Sequence, residues 1–261
     1  MKIFDFQRMK QQGEKISIVT CYDHWSAKII ATTAIDCILV GDSAAMIMHG
    51  HPTTIPATTE MMVMHTQAVA RGAGTKFIIT DMPFLAHRKG LVAAMDAVQQ
   101  LVQAGAHAVK IEGADGNLEL IQHIVTSGIP VMGHLGMTAQ AIHQLGGFKV
   151  QGKQAAAAET LVTQAHALQQ AGCFALVLEC VPPQLAKMIS EQLQIPVIGI
   201  GAGLAVDGQV LVLQDLLGMN PDFKPKFLKQ YMDGFTAVQS ALNAFNQEVK
   251  QQLFPTPEHS Y

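Results

Sequence analysis

The chain is predicted to be an α/β protein, a closed (βα)8 barrel. Three observations point there. Its 261 residues match the roughly 250 that one such barrel needs. Its residues are 49% apolar and 14% charged, enough to bury a large core and too apolar for disorder. Short Val-, Ile- and Leu-rich runs alternate with helix-length stretches along the whole chain. One barrel domain is expected over residues 1–261.

The strand candidates come in order. They are ISIVTCYD (16–23), DCILVGD (36–42), KFIITDMP (76–83) and HAVKIEG (107–113). IPVMGHLG (129–136), FALVLECVP (174–182), IPVIGIGAG (195–203) and QVLVLQDLLG (209–218) follow. None alternates strictly, the pattern of strands covered on both faces of a parallel sheet. Between most of them lie helices. Thr59 is read as the cap of a helix through Met61, Met62, Met64, His65, Ala68 and Val69 that Gly72 closes. Residues 90–104, 117–127 (stopped by Gly128), 154–171 and 183–193 carry apolar residues at helical spacing or are Ala-rich. Residues 226–252 make a long final helix. The runner-up is an open doubly wound sheet, but no strand leads into a GxGxxG turn and helix. Two long loops, 42–58 and 137–153, stand out as functional or interface segments.

Charge and composition exclude several roles. Net charge is −3, from 17 basic and 20 acidic residues without blocks of one sign, so no nucleic-acid groove or anionic membrane surface is expected. The longest apolar stretch, Ile29 to Val40, is too short to span a bilayer and is broken by Thr32, Thr33 and Asp36. The N-terminus lacks the features of a signal peptide. Cys21, Cys37, Cys173 and Cys180 show no CxxC pairing and read as reduced thiols of a cytoplasmic protein.

Active sites of barrels lie at the C-terminal strand ends. There this chain places Gly41-Asp42-Ser43, Asp81, Lys110 with Glu112, His134 and Glu179. A carboxylate in an apolar barrel must be paired or hold a metal. Asp42, Asp81 and Glu112 come from successive strands, and an oxygen-only set suits a hard cation such as Mg²⁺. A single strand-end Asp is otherwise a cap or turn former. Lys110 and Glu112, two apart, share a face, which puts a cation beside the acids. Glu179 has two open readings, a general base across the barrel or half of an ion pair with a Lys or Arg. His134 is either a hydrogen-bonded core residue or a substrate donor. His49-Gly50-His51 reads as ordinary loop histidines, Ile200-Gly201-Ala202-Gly203 as a tight turn, and the methionines at 46, 48, 61, 62 and 64 as packing residues.

The same residues carry a family likeness that runs end to end. VTCYDHWSAK (19–28), ILVGDS (38–43), DMPF (81–84), VKIEG (109–113), GHLGMT (133–138), GGFKVQG (146–152), LVLECVP (176–182) and DGQVLVLQDLLG (207–218) occur in order. In these the chain resembles the ketopantoate hydroxymethyltransferase family. It departs from the usual family residues at Ala34, Ala44-Ala45, Pro52, Ala139 and Gln214. The resemblance implies a barrel of the phosphoenolpyruvate-binding superfamily. It implies transfer of a hydroxymethyl group from 5,10-methylenetetrahydrofolate to 3-methyl-2-oxobutanoate, giving 2-dehydropantoate for pantothenate and coenzyme A synthesis. It implies Mg²⁺ held by Asp42, Asp81 and Glu112, the 2-oxo acid held by Asp42, Ser43, Asp81 and Lys110, and Glu179 as proton acceptor. It also implies a homodecamer acting on small molecules only. A Mg²⁺-dependent 2-oxo acid lyase or mutase of the same superfamily shares the acidic cluster but leaves GGFKVQG and LVLECVP without a role. A non-catalytic barrel has no reason to keep every acid and Glu179.

Overall fold

A computed structural model of the protein describes residues 1–261. The chain resolves into two compact units, Met1–Leu211 and Val212–Tyr261, where the sequence predicts one domain over 1–261.

In the first unit the strands are β1 (Ile16–Thr20), β2 (Cys37–Val40), β3 (Phe77–Asp81), β4 (Ala108–Glu112), β5 (Val131–Gly136), β6 (Ala175–Glu179), β7 (Val197–Ile200) and β8 (Gly208–Leu211). All pair in parallel, and β8 returns to β1, so the barrel closes. The α/β barrel expected from sequence is therefore the observed fold. It is complete at Leu211, because β8 spans Gly208–Leu211 and not the longer run to Gly218.

The helices follow from capping and spacing. α1 (Ile3–Gln12) precedes the barrel, and α2 (His24–Ala31) is capped by Asp23, whose carboxylate accepts from the Ser26 amide. Neither helix is predicted from sequence; α2 is only two turns long. A short α3 (Ala44–Ile47) occupies part of the loop after β2. Thr58, one residue earlier than predicted, caps α4 (Thr59–Gly72) by accepting from the Met61 amide. α5 (Leu91–Gln103) and α6 (Leu118–Thr126) match their predicted spans to within a residue. A short α7 (Ile142–Leu145) sits in the loop after β5, followed by α8 (Ala155–Gln170) and α9 (Pro183–Gln192). No helix separates β7 from β8. The Gly201–Asp207 link is too short for one, and Gly201 (φ 64°) and Gly203 (φ 84°) bend it back. Strand and helix thus do not alternate the predicted eight times.

The barrel interior is a packed stack. Ile16, Ile18, Cys37, Leu39, Phe77, Ile79, Ala108, Met132, Ala175, Val177, Ile198 and Val210 point inward and form one cluster with Phe6 and Met9 of α1. Phe6 is 1% exposed. Its ring meets those of Phe77 and Phe174 edge-on, at 5.5 and 5.0 Å. α1 is also pinned by Lys10, whose Nζ lies 2.6 Å from Asp207 Oδ2. The amphipathic N-terminus is thus a plug for the barrel floor.

The second unit contains α10 (Leu213–Leu216) and α11 (Gly234–Lys250). The final helix starts later than the predicted residue 226. Backbone amides of Tyr231 and Gly234 donate to the carbonyls of Leu216 and Leu217, and Asp233 accepts from the Thr236 amide to cap α11. No helix in the chain is long and apolar enough to cross a membrane.

Candidate active site

The inward parity of the strands builds the site. On β3, Phe77 and Ile79 point into the core, so Asp81 faces the same interior at the strand's end. Ala108 leads likewise to Lys110 and Glu112, Met132 to His134, and Val177 to Glu179. The apolar stack therefore ends in one polar layer at the mouth. Register sets which members meet. Asp81 pairs with Lys110 across β3–β4, and Glu112 with His134 across β4–β5.

The contacts form a chain of charge. Lys110 Nζ lies 2.9 Å from Asp81 Oδ1 and 4.0 Å from Glu112 Oε1. His134 Nδ1 lies 3.3 Å from Glu112 Oε1, and its Nε2 lies 3.4 Å from Glu179 Oε2. The partner of Glu179 is therefore His134, not the Lys or Arg weighed from sequence. Asp42 enters from the loop after β2, its amide donating to Asp81 Oδ2 at 3.0 Å. Ser43 beside it shares a 2.7 Å hydrogen bond with the Tyr22 hydroxyl. The Lys110, Asp81 and Glu112 side chains are only 4–6% exposed, whereas that of Glu179 is 18% exposed. Glu179 is thus the carboxylate a ligand can reach.

Burial opposes every one of these charges, and the neighbours decide which survive. Burial pushes the Asp42 carboxyl well above its usual range, and the charges of Asp81 and Glu112 add to that. Burial acts the same way on Glu112, but the hydrogen bond and charge of His134, with Lys110 and the Gln140 amide, hold it below its ordinary value. Burial alone lowers Lys110, yet Asp81, Glu112 and Asp42 together raise it, so it stays charged. His134 is raised to about 9, because Glu112 and Glu179 outweigh burial and Lys110. It therefore stays charged between the two carboxylates, while its Nδ1 also lies 3.2 Å from Lys110 Nζ.

Asp42, Asp81 and Glu112 come together at the mouth, but no group of three or more acidic, His or Cys side chains has the spacing to hold a metal. Both Glu112 oxygens have protein partners. His134 takes one, and the Gln140 amide donates to the other at 3.0 Å.

Gln140 was not singled out from sequence. It lies inside the long loop 137–153, buried to 7% exposure. Its Nε2 donates to Asp42 Oδ2 and to the Met82 carbonyl, both at 2.9 Å. One loop residue thus ties together the ends of three strands. A glutamine in a polar loop has no local signal that it folds inward. Tyr22 is also absent from the sequence candidates: it lies inside the predicted strand-one run 16–23, whose end offers no chemistry-bearing pattern. The HxH pair is not a metal pair: His49 Nε2 meets His65 Nε2 at 2.9 Å, and His65 Nδ1 meets the Tyr22 carbonyl. The four cysteines are free. Burial raises the Cys173 thiol to about 12 and the Cys180 thiol to about 11, which keeps both protonated and unreactive.

Gly136 packs the ends of β5 and β6 together. Its φ is +93°, and a Cβ there would come within 2.2 Å of the Glu179 carbonyl oxygen. Gly136→Ala is expected to destabilise the protein by about 3 kcal/mol, left-handed strain and overpacking contributing together. Thermal unfolding should show the melting temperature falling by on the order of 10 °C; an unchanged value would mean that the two strand ends can part freely.

The comparisons with known proteins identify the family. A family model described as ketopantoate hydroxymethyltransferase matches residues 1–257. A relative from Coxiella burnetii, named 3-methyl-2-oxobutanoate hydroxymethyltransferase, is 60% identical over 259 residues, covering 98% of this chain and 97% of the relative. Relatives of the same name from Legionella pneumophila (58%, covering 100% of both chains) and Bdellovibrio bacteriovorus (57%, covering 99% and 98%) are similarly close. Among solved structures, a phosphoenolpyruvate phosphomutase from Streptomyces platensis subsp. rosaceus matches with a TM-score of 0.64 at 13% identity, covering 97% of this chain and 88% of the other. A 2,3-dimethylmalate lyase of the PEP mutase/isocitrate lyase superfamily matches with a TM-score of 0.59 at 14% identity, covering 98% and 92%. These structures share the fold. A match over nearly the whole chain, with the strand-end residues gathered at one mouth, makes this protein a member of the ketopantoate hydroxymethyltransferase family.

Proposed function

We propose that the chain transfers a hydroxymethyl group from 5,10-methylenetetrahydrofolate to 3-methyl-2-oxobutanoate, giving 2-dehydropantoate, and that the polar layer at the barrel mouth does this work. The observation that carries the reading is the line Glu112–His134–Glu179. It sets one reachable carboxylate beside a buried, acid-rich pocket.

The donors there suit Mg²⁺. They are oxygens, the Asp42 carboxyl is strained by two neighbouring acids, and the buried Asp81 Oδ1 takes no directed hydrogen bond despite its charge contact with Lys110. Mg²⁺ commonly takes one or two carboxylates and leaves its other positions to water and substrate. Asp42 and Asp81 would hold it, with Glu112 behind them. Bound there, the ion supplies Lewis-acid polarisation of the 2-oxo acid's carbonyl.

The remaining roles belong to side chains. Lys110 balances the acids and presents positive charge to the substrate's oxygens. Ser43, oriented by Tyr22, binds the substrate carboxylate. Glu179 takes the proton from C3, and His134 holds it in place from behind. One C–H bond of the keto acid breaks and one C–C bond forms to the donor's methylene carbon. Both C–N bonds of that carbon break as a C–O bond to water forms, and the protons from C3 and from water end on the two freed nitrogens. Water supplies the hydroxyl oxygen, and tetrahydrofolate leaves. A lyase or mutase on the same keto-acid site is the competing reading, and it needs no folate.

We also infer assembly into a homodecamer in the cytoplasm. Phe235, Val238, Leu242, Phe245 and Val249 line α11 at helical spacing and are all exposed, an apolar stripe of the kind that copies of a chain cover. Purified protein given 3-methyl-2-oxobutanoate, methylenetetrahydrofolate and Mg²⁺ is expected to form 2-dehydropantoate, and a chelator is expected to stop it. Product formation without the folate, or at full rate with the chelator, would overturn the donor or the metal respectively.

A further inference from the structure

A cavity of about 440 Å³ opens beside the acid cluster, with Glu112 in its wall. The rest of the wall comes from the segment after β3, the turn after β4, the loop after β5 and one side of α8. The keto-acid chemistry above uses only its inner edge.

Two polar side chains in that wall are more than nine-tenths buried and carry an atom without a partner. His87 is 8% exposed and its Nδ1 has no hydrogen bond; Gln140 is 7% exposed and its Oε1 has none. The Gln140 amide cannot be reversed, because its nitrogen faces two acceptors, Asp42 Oδ2 and the Met82 carbonyl. Oε1 is therefore an acceptor waiting for a donor. A buried polar atom left unpaired is costly, and a ligand with the right groups removes that cost. His87 is uncharged at neutral pH, because burial and then Arg88 lower it to about 4. It offers one donor and one acceptor.

These groups define the occupant. An anion at this depth would meet Gln140 Oε1 and Glu112, so the inner part of the ligand is neutral and rich in N–H. Phe84, Leu135 and Leu161 supply apolar walls for a flat ring. Arg88 is exposed and is the cation among the lining residues. It lies over the turn after β4, where a Cβ on Gly116 would come within 2.6 Å of its guanidinium.

We propose that this cavity binds the one-carbon donor: the aminopyrimidinone ring of a reduced pterin sits between the apolar walls, with its N–H groups on Gln140 and His87 and its anionic glutamate tail leaving past Arg88. The assignment rests on the transfer reading above and adds a site to it. Glu112, shared by both pockets, then sets the donor beside the keto acid.

Two assays separate the two claims. Deuterium exchange at C3 of 3-methyl-2-oxobutanoate, run with Mg²⁺ and no folate, reads the acid cluster alone. Transfer reads both pockets. In His87→Ala, exchange is expected to stay within about twofold while KM for methylenetetrahydrofolate rises about tenfold, the loss of one buried hydrogen bond. Leu145→Trp, which fills the cavity from the loop after β5, is expected to keep exchange, lose most transfer, and no longer bind 5-formyltetrahydrofolate in calorimetry. Exchange also shows that each variant is folded. Normal exchange with an unchanged KM for the donor in both variants would overturn the assignment and leave the acid cluster standing. No exchange in the unmodified protein would overturn the transfer reading itself.

Discussion

Glu179→Gln is expected to abolish exchange of the C3 proton of 3-methyl-2-oxobutanoate with D₂O while the keto acid still binds. The rate should fall by a factor of about 10²–10⁴, the range that a positioned general base contributes. Glutamine keeps the size and the hydrogen-bonding reach of glutamate but cannot take a proton. The three acids buried deeper are each engaged: Asp81 by Lys110, Glu112 by His134 and the Gln140 amide, and Asp42 by the Gln140 side chain. Glu179 meets only the His134 ring among charged groups, through one of its oxygens, and its side chain is the most exposed of the group. Proton NMR of the keto acid in D₂O, with and without the variant, measures this directly. Exchange at the unmodified rate would remove Glu179 as the base and return it to a structural partner of His134.

Much of this site was legible in the sequence because a barrel strand has a period of two. Once Phe77, Ile79 and Asp81 share a strand, the polar end residue must face where the apolar ones face. The same parity places Lys110 with Glu112 and aligns His134 and Glu179 with the interior. The closed barrel followed from runs of apolar residues without alternation. What was not legible depends on contacts between elements. The stagger of the strands sets Glu179 against Gly136, two residues beyond His134, so that a carboxylate read either as a base or as the partner of a Lys or Arg meets an imidazole. Gln140 folds inward because three strand ends offer it acceptors, which no local pattern announces. The missing helix between β7 and β8 and the late start of α11 are decided by glycine turns and by returning backbone hydrogen bonds. The α1 plug is amphipathic in sequence, but its target, the ring pair of Phe77 on β3 and Phe174 just before β6, lies far along the chain.

Lys110→Met should expose how the buried charges are balanced. Methionine fills nearly the same space, so the change removes the charge and little packing. It leaves Asp81 without its 2.9 Å partner and takes the Lys110 charge away from Asp42 and Glu112, Glu112 keeping only His134 as a neighbouring cation. Removing one partner of a buried ion pair typically costs about 3–5 kcal/mol, which in a chain of this size lowers the melting temperature by on the order of 10 °C. The pH dependence separates this from a packing defect. Asp42 already has a folded-state pKa above its unfolded value of 3.8. Between those two values the folded state binds more protons, so stability falls as pH rises through that window. Without Lys110 the carboxylates shift further up and the window widens. The variant should therefore regain stability relative to the unmodified protein as pH is lowered from neutral toward about 4–5, where its carboxyls take up protons. Urea unfolding at several pH values measures the difference. A deficit that stays constant across that range would mean that Lys110 acts through packing, and that the acids of the mouth do not depend on it for their charge.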